Sequence, residues 1–476
     1  MVCGTSSGAG KSFLTTALAR WYARQGFEVA PFKAQNMSNN ARVVADGEIG
    51  SAQYFQALAA RCIPDVRMNP VLLKPEKDTR SQVICMGQRR DDLAAMEWRT
   101  RAELLWPTVH GCLNELLDRY ELVVIEGAGS PAEINLQPDI VNMRVAEAAG
   151  AATLIVTDID RGGAFAHLYG THALLRAEHR ALIRGFVLNK FRGDAALLAP
   201  GPQMLEELTG IATLGVLPMW RDHGLPEEDG VFDAASAGEG LVIVIVAYPH
   251  ISNLDEFAAL KRVTGVRVIW AREARSVAAA DVLVLPGSKH VAADLAWLRD
   301  SGLDVAIARH VGADKPTLGI CGGLQILGHA IDDPQGLEGS ATGLGLIPYG
   351  TEFQSPKRYR HGRYSLTGLG GYWAPLSGVS LEGYEIRHGR TTPGSDRGTQ
   401  AWRSAKRLQP VLAEDCGWQY GQTLALYVHG LFENSEVVRR LFGAATRSLD
   451  ETFDGLADFL DEHMGHAALM SLTLPR

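Results

Sequence analysis

Residues 317–328 read T-L-G-I-C-G-G-L-Q-I-L-G. An apolar strand pattern runs into Cys321, glycines lie on both sides of it, and an apolar helical pattern follows. A strand turning sharply into a helix exposes the side chain at the turn, and glycines make that turn accessible. A thiol at a helix N-terminus favours its thiolate form. The backbone N–H of Gly322 then faces the oxyanion that forms when sulfur attacks a carbonyl. Gly287, in the L-P-G-S string at another strand end, offers a second donor. Such a nucleophile needs a general base, and His429 in L-A-L-Y-V-H-G-L-F lies just past a further apolar run. Taken singly, Cys321 reads as an inert core thiol and His429 as a surface ring. Their common placement at strand ends in one half of the chain favours a nucleophile–base pair.

A second chemistry lies at the other end of the chain. Residues 4–12 read G-T-S-S-G-A-G-K-S after a very short apolar start. Glycines let backbone N–H groups close around phosphate oxygens, and Thr5, Gly8 and Gly10 lie in that loop. Lys11 would reach the outer phosphates and Ser12 would ligate Mg²⁺. The spacing is one residue longer than the common Walker loop. Glu126, in V-V-I-E-G-A-G, stands at the tip of a buried strand, where a metal-ligating carboxylate belongs. Asp46 in A-D-G-E-I-G is a second metal candidate, with Glu48 able to substitute. Asn189, in L-N-K-F-R-G-D, would read the adenine edge, although a turn asparagine has the same chemistry.

These groups need strands to hold them. Apolar runs at 122–125, 153–157, 185–188 and 214–217 alternate with amphipathic stretches such as 11–25, whose apolar residues Phe13, Leu14, Ala17, Leu18 and Trp21 share a face. That alternation predicts a parallel sheet covered on both sides. The small, polar string at 233–240 reads as a linker. A second alternation follows it at 241–247, 266–270, 282–285, 317–320 and 424–428. The expected organisation is therefore an α/β domain with the phosphate loop over 1–235, a second α/β domain over 241–440 and a helical tail over 441–476.

Composition narrows the class. The 476 residues carry 46 Lys plus Arg and 54 Asp plus Glu, a net charge of −8, which weighs against a general nucleic-acid binder. Six cysteines without a C-x-x-C pair fit a reducing, cytoplasmic setting better than a thiolate zinc site. No apolar run is long enough to span a membrane, and homo-oligomerisation is compatible with the sequence.

The long phosphate loop resembles dethiobiotin synthetase and its relatives, which make amides or ureas through acyl phosphates. The cysteine–histidine half resembles triad-type, class I-like glutamine amidotransferase domains. Those domains usually carry a glutamate two residues after the histidine; here that position is Leu431, and Glu433 has the wrong spacing. The histidine is then oriented by another group or by none. Several strings in order resemble the cobyric acid synthase family: P-F-K-A-Q-N-M-S-N-N, M-N-P-V-L-L-K-P, A-G-S-P-A-E-I-N-L, D-I-D-R-G-G, N-K-F-R-G-D, L-P-G-S-K and E-I-R-H-G-R. The resemblance implies ATP- and Mg²⁺-dependent amidation of the b, d, e and g carboxylates of adenosylcobyrinic acid a,c-diamide, with glutamine as nitrogen donor. The small-molecule partners would be ATP, glutamine and the corrinoid. Lys33, Gln35, Asn36 and Arg161 are candidate corrinoid contacts, and Arg80, Lys190 and Arg192 are further cations. His388 would serve the interface or satisfy a core hydrogen bond. The sister cobyrinic acid a,c-diamide synthases are the second choice. Partitioning-type ATPases, which use nucleotide to switch dimerisation, are the alternative of a different class.

Overall fold

The computed structural model describes all residues except 46, 78–79, 137, 222, 227–239, 394–407, 445–446 and 474–476. The metal candidate Asp46 and most of the expected linker lie outside the described residues. The chain divides into two compact units.

The first unit comprises Met1–Ser38, Asp46–Leu225 and Ser448–Arg476. Four strands, Val2–Gly4, Thr153–Asp158, Ile183–Phe191 and Thr213–Pro218, pair in parallel in that order. Val29–Phe32 and Leu122–Ile125 form a further parallel pair. A parallel bridge between Val2 and Glu126 joins this pair to the four-stranded sheet. Most β-branched and leucine side chains of these strands are buried, which explains their apolar runs. The helix Lys11–Arg24 follows the phosphate loop directly.

Two features of this unit differ from the expectation. Gln35–Met37, Val71–Lys77, Arg80–Cys85 and Gln88–Arg89 build a mixed sheet that the alternation did not reveal. The helix Leu449–Met464, expected in a separate tail, packs on the helix Lys11–Arg24 with Phe453, Leu456 and Leu460 buried. Arg20 donates to Asp450 and Asp454, at 2.8 Å each, and Trp21 Nε1 donates to Asp461 at 3.0 Å. An amphipathic helix must bury its apolar stripe somewhere, and this stripe meets the first helix.

The second unit comprises Asn39–Ala45 and Pro226–Arg447. Its seven-stranded sheet runs Val266–Ala271, Leu241–Val246, Val282–Leu285, Thr317–Ile320, Thr423–Leu426, Gly417–Tyr420 and Gln409–Leu412. The first five strands are parallel and the last two antiparallel. A long hairpin, Tyr349–Ser365 with Ser380–Pro393, completes the unit. The strand Ala41–Val44 is the one stretch of the N-terminal sequence found here. Asn253 Nδ2 donates to the Ala41 carbonyl at 3.0 Å, and Leu254 N donates to Asn40 Oδ1 at 2.9 Å.

Candidate active site

In the second unit the strand Thr317–Ile320 ends at Cys321, and the helix Gly322–Leu327 starts immediately. Cys321 holds φ at +50°, a region that L-residues seldom adopt. The glycines after it are required by close approach: a Cβ on Gly323 would strike the Leu285 carbonyl, and one on Gly322 would lie 2.5 Å from Ser288 N. Ser288 N thus lies close to the elbow, beside the expected Gly287. Gly322 N–H opens the helix, where first-turn donors have no intrahelical acceptor. Gly287 lies close to the histidine ring, since a Cβ there would be 2.9 Å from His429 Cε1. The Cys321 thiol is nearly buried and approaches the Ile386 carbonyl at 3.6 Å.

His429 follows the strand Thr423–Leu426 and is buried. Its Nδ1 meets Glu256 Oε1 at 3.0 Å, while Glu256 Oε2 accepts from Gly430 N at 3.1 Å. Glu256 is fully buried on the turn Leu254–Phe257. Tyr384 stacks on the imidazole with centroids 5.2 Å apart and ring planes at 16°. Burial alone would disfavour the imidazolium, but the Glu256 carboxylate and a hydrogen bond with Cys321 outweigh it and push the ring up to about 10. The cationic form of the ring is thus favoured by the carboxylate that meets Nδ1 and by the nearby Cys321.

Sequence reasoning missed Glu256. It stands far from His429 along the chain, and the only signal was its topology. It lies in the loop after the first strand of the domain, at the carboxyl edge of a parallel sheet, where ligand-binding groups gather. Glu433 accepts from Arg42 Nη1 at 2.9 Å and does not orient the imidazole. His388 Nδ1 faces the Gln354 carbonyl at 3.3 Å, and Arg387 forms a buried pair with Glu385 at 2.7 Å.

In the first unit the phosphate loop closes with positive φ at Gly8 and Gly10. A Cβ on Gly10 would collide with the Asn189 side chain, so the glycine is needed there. Asn189 Nδ2 donates to the Ala9 carbonyl at 3.0 Å and so buttresses the loop. Thr5 Oγ1 pairs with Thr157 Oγ1 at 2.9 Å. Lys11 Nζ donates to the Ser6 and Gly129 carbonyls at 3.0 and 3.2 Å.

Glu126 is the hub of this site. Oε1 accepts from Ser12 Oγ and Lys33 Nζ, each at 2.8 Å, and Oε2 accepts from Gln56 Nε2 at 2.5 Å. Burial would raise its carboxyl, but the Lys33 ammonium more than compensates and holds it below the usual range. Ser12 and Glu126 supply the hard oxygen donors that Mg²⁺ prefers. The buried Gln56 Oε1 has no hydrogen-bond partner among the described residues, and the site therefore fits such an ion. No group of three or more His, Cys, Asp or Glu placed to hold a metal ion occurs among the described residues. Phosphate oxygens and water would complete the coordination. Glu48, the substitute for Asp46, forms a buried ion pair with Lys74.

The candidate corrinoid contacts are dispersed. Asn36 is buried and donates to Gln53 Oε1 at 3.1 Å. Gln35 precedes it in the same strand, so the two side chains point to opposite faces. Arg161 is largely exposed and lies 3.4 Å from Asp158. Lys190 bridges Asp158 and the Gly8 carbonyl, at 3.0 and 2.8 Å. Arg192 pairs with Asp160.

A phosphate-loop unit and a unit with a buried cysteine–histidine–glutamate array define a nucleotide-binding glutamine amidotransferase. Comparison with known proteins agrees. Residues 1–229 match the CobQ/CobB/MinD/ParA nucleotide binding domain, and residues 242–437 match the CobB/CobQ-like glutamine amidotransferase domain. The chain is 60% identical over 478 residues to the cobyric acid synthase of Variovorax paradoxus (strain S110), covering 99% of this chain and 98% of that protein. It is 59% identical over 482 residues to the cobyric acid synthase of Polaromonas naphthalenivorans (strain CJ2), covering 99% and 98%. The chain belongs to the cobyric acid synthase family and is an enzyme, not a nucleotide-switched regulator. No helix among the described residues is long and apolar enough to cross a membrane.

Proposed function

We propose that this enzyme amidates the b, d, e and g carboxylates of adenosylcobyrinic acid a,c-diamide, drawing nitrogen from glutamine and activating each carboxylate with ATP. A carboxylate is a poor electrophile because oxide is a poor leaving group. Attack of a carboxylate oxygen on the γ-phosphorus releases ADP and gives an acyl phosphate. Ammonia then attacks the acyl carbon and inorganic phosphate leaves. Lys11 and the loop N–H groups cradle the phosphates. Ser12 and Glu126 would hold Mg²⁺, which supplies neutralising charge at the phosphates when bound. Lys33 keeps Glu126 ionised.

Ammonia comes from the second unit. The Cys321 thiol gives its proton to His429 as the sulfur attacks the glutamine amide carbon, and the oxygen gains charge opposite the N–H groups of Gly322 and of the strand Gly287–Ser288. His429 delivers a proton to the nitrogen, the C–N bond breaks, and a thioester remains. Water then hydrolyses the thioester to glutamate. Glu256 holds the imidazole in one orientation and stabilises its cationic form, the role that a third member plays in such arrays.

The observation that carries this reading is the contact of the buried His429 Nδ1 with the buried Glu256 carboxylate, in the unit whose strand–helix elbow bears Cys321. It supplies the acid–base group that the sequence left unoriented. The test is glutamate release from glutamine by the wild-type chain and by Cys321→Ala. Loss of release in the variant is expected, and retained release would remove Cys321 from the reaction.

A further inference from the structure

The glutaminase array is backed by a residue from the other half of the sequence. Arg42 lies within the stretch that matches the nucleotide-binding domain, yet the strand Ala41–Val44 belongs to the second unit. Its guanidinium is 2% exposed and touches three groups. It forms an ion pair with Asp255, the residue before Glu256. It donates to Glu433 Oε2 at 2.9 Å, on the turn Leu431–Glu433 that follows His429. It lies over the Tyr384 ring, 4.9 Å from the centroid, and Tyr384 stacks on His429. One planar cation thus ties together the backbone carrying Glu256, the backbone leaving His429 and the ring that flanks the imidazole. A lysine ammonium cannot match such a fork, because it is a point donor on a flexible stem.

We propose that Arg42 is a positioning residue for glutamine hydrolysis, so that the amidotransferase unit is incomplete without a segment of the N-terminal half of the sequence. This rests on the glutaminase reading of Cys321 and His429. Arg42 acts through Asp255, Glu433 and Tyr384. It fixes the spacing of Glu256 and Tyr384 about the imidazole, and misplacement of a catalytic group by about 1 Å costs about 10²-fold in rate.

The test uses the full chain. Arg42→Ala and Arg42→Lys are assayed for glutamate release, and for amidation of the corrinoid a,c-diamide with ammonium chloride as nitrogen source. Arg42→Ala should lose about ten- to a hundredfold in kcat for glutamine. Its KM should change little, its ammonia-dependent amidation should persist, and added guanidinium should restore part of the loss. Arg42→Lys should show the same loss in smaller measure. A parallel fall of both nitrogen sources would make Arg42 merely structural and overturn the proposal, as would wild-type glutamine turnover in Arg42→Ala. If Arg42→Ala does not fold, Arg42→Lys decides, and wild-type glutamine turnover there overturns the proposal. Cys321→Ala is run alongside. Glutamate release surviving in that variant fails the glutaminase reading itself, whereas its loss beside an unaffected Arg42→Ala removes Arg42 alone.

Discussion

Glu256 grips His429 at two points, with one carboxylate oxygen 3.0 Å from Nδ1 and the other accepting from the next backbone N–H, that of Gly430, at 3.1 Å. Neither the ring nor the carboxylate is open to solvent, so the contact fixes tautomer and orientation together. The position two residues beyond the histidine, Leu431, is fully buried and apolar. The carboxylate that meets the ring comes instead from the turn Leu254–Phe257.

Glu256→Gln should therefore lower glutamine-dependent turnover by about 10²-fold or more, since a neutral amide neither stabilises the imidazolium nor enforces the tautomer. Amidation from ammonium chloride should be spared. Steady-state kinetics with both nitrogen sources checks this. Equal rates for the variant and wild type with glutamine would show that His429 works without the carboxylate.

The same contact makes stability depend on pH. His429 is raised from 6.5 to about 10 in the folded chain, so its protonated form is favoured by folding. The contribution is complete below the unfolded value and is lost as pH rises through the folded one. The stability advantage of wild type over His429→Gln should shrink between about pH 6.5 and pH 10. Thermal melts of both proteins across that range measure it, and a constant or growing gap would contradict the ion-pair assignment.

Nitrogen source separates the two chemistries. Lys11→Ala and Glu126→Ala should each abolish amidation from glutamine and from ammonium alike, because both routes end at one acyl phosphate. Cys321→Ala should abolish only the glutamine route. Product formation under the two feeds distinguishes them. A Glu126→Ala enzyme with unchanged rate and Mg²⁺ dependence would remove that carboxylate from the metal site.

The C-terminal helix carries stability for the first unit. Leu456 is fully buried against the helix that follows the phosphate loop, so Leu456→Ala should cost about 2–5 kcal/mol. Denaturant unfolding followed in the first unit gives the value, and a loss under about 1 kcal/mol would mean the helix is not integral to that core.

The parallel strands were legible because residues such as those of Val282–Leu285 are apolar without interruption, as burial on both faces demands. The elbow at Cys321 and the loop at Lys11 were legible because their glycines answer local steric needs. The hairpin Tyr349–Ser365 with Ser380–Pro393 was not, since much of its first strand is polar and partly exposed and shows no clean alternation. Glu256 and Arg42 were hidden for a different reason. Each acts through a contact made by tertiary folding, between Glu256 and His429 and between Arg42 and Asp255, and no local pattern marks either. Gln35 and Asn36 show the converse: their types suggested one surface, while the strand's two-residue period sends them to opposite faces.

The most direct test of the proposed reaction is a mass-spectrometric time course with adenosylcobyrinic acid a,c-diamide, ATP, Mg²⁺ and glutamine. Species carrying successive new amides should appear in turn and converge on a product with four, one ATP and one glutamine consumed for each. A reaction that takes only the unamidated acid and stops after two additions, or ATP turnover indifferent to the corrinoid and glutamine, would contradict it.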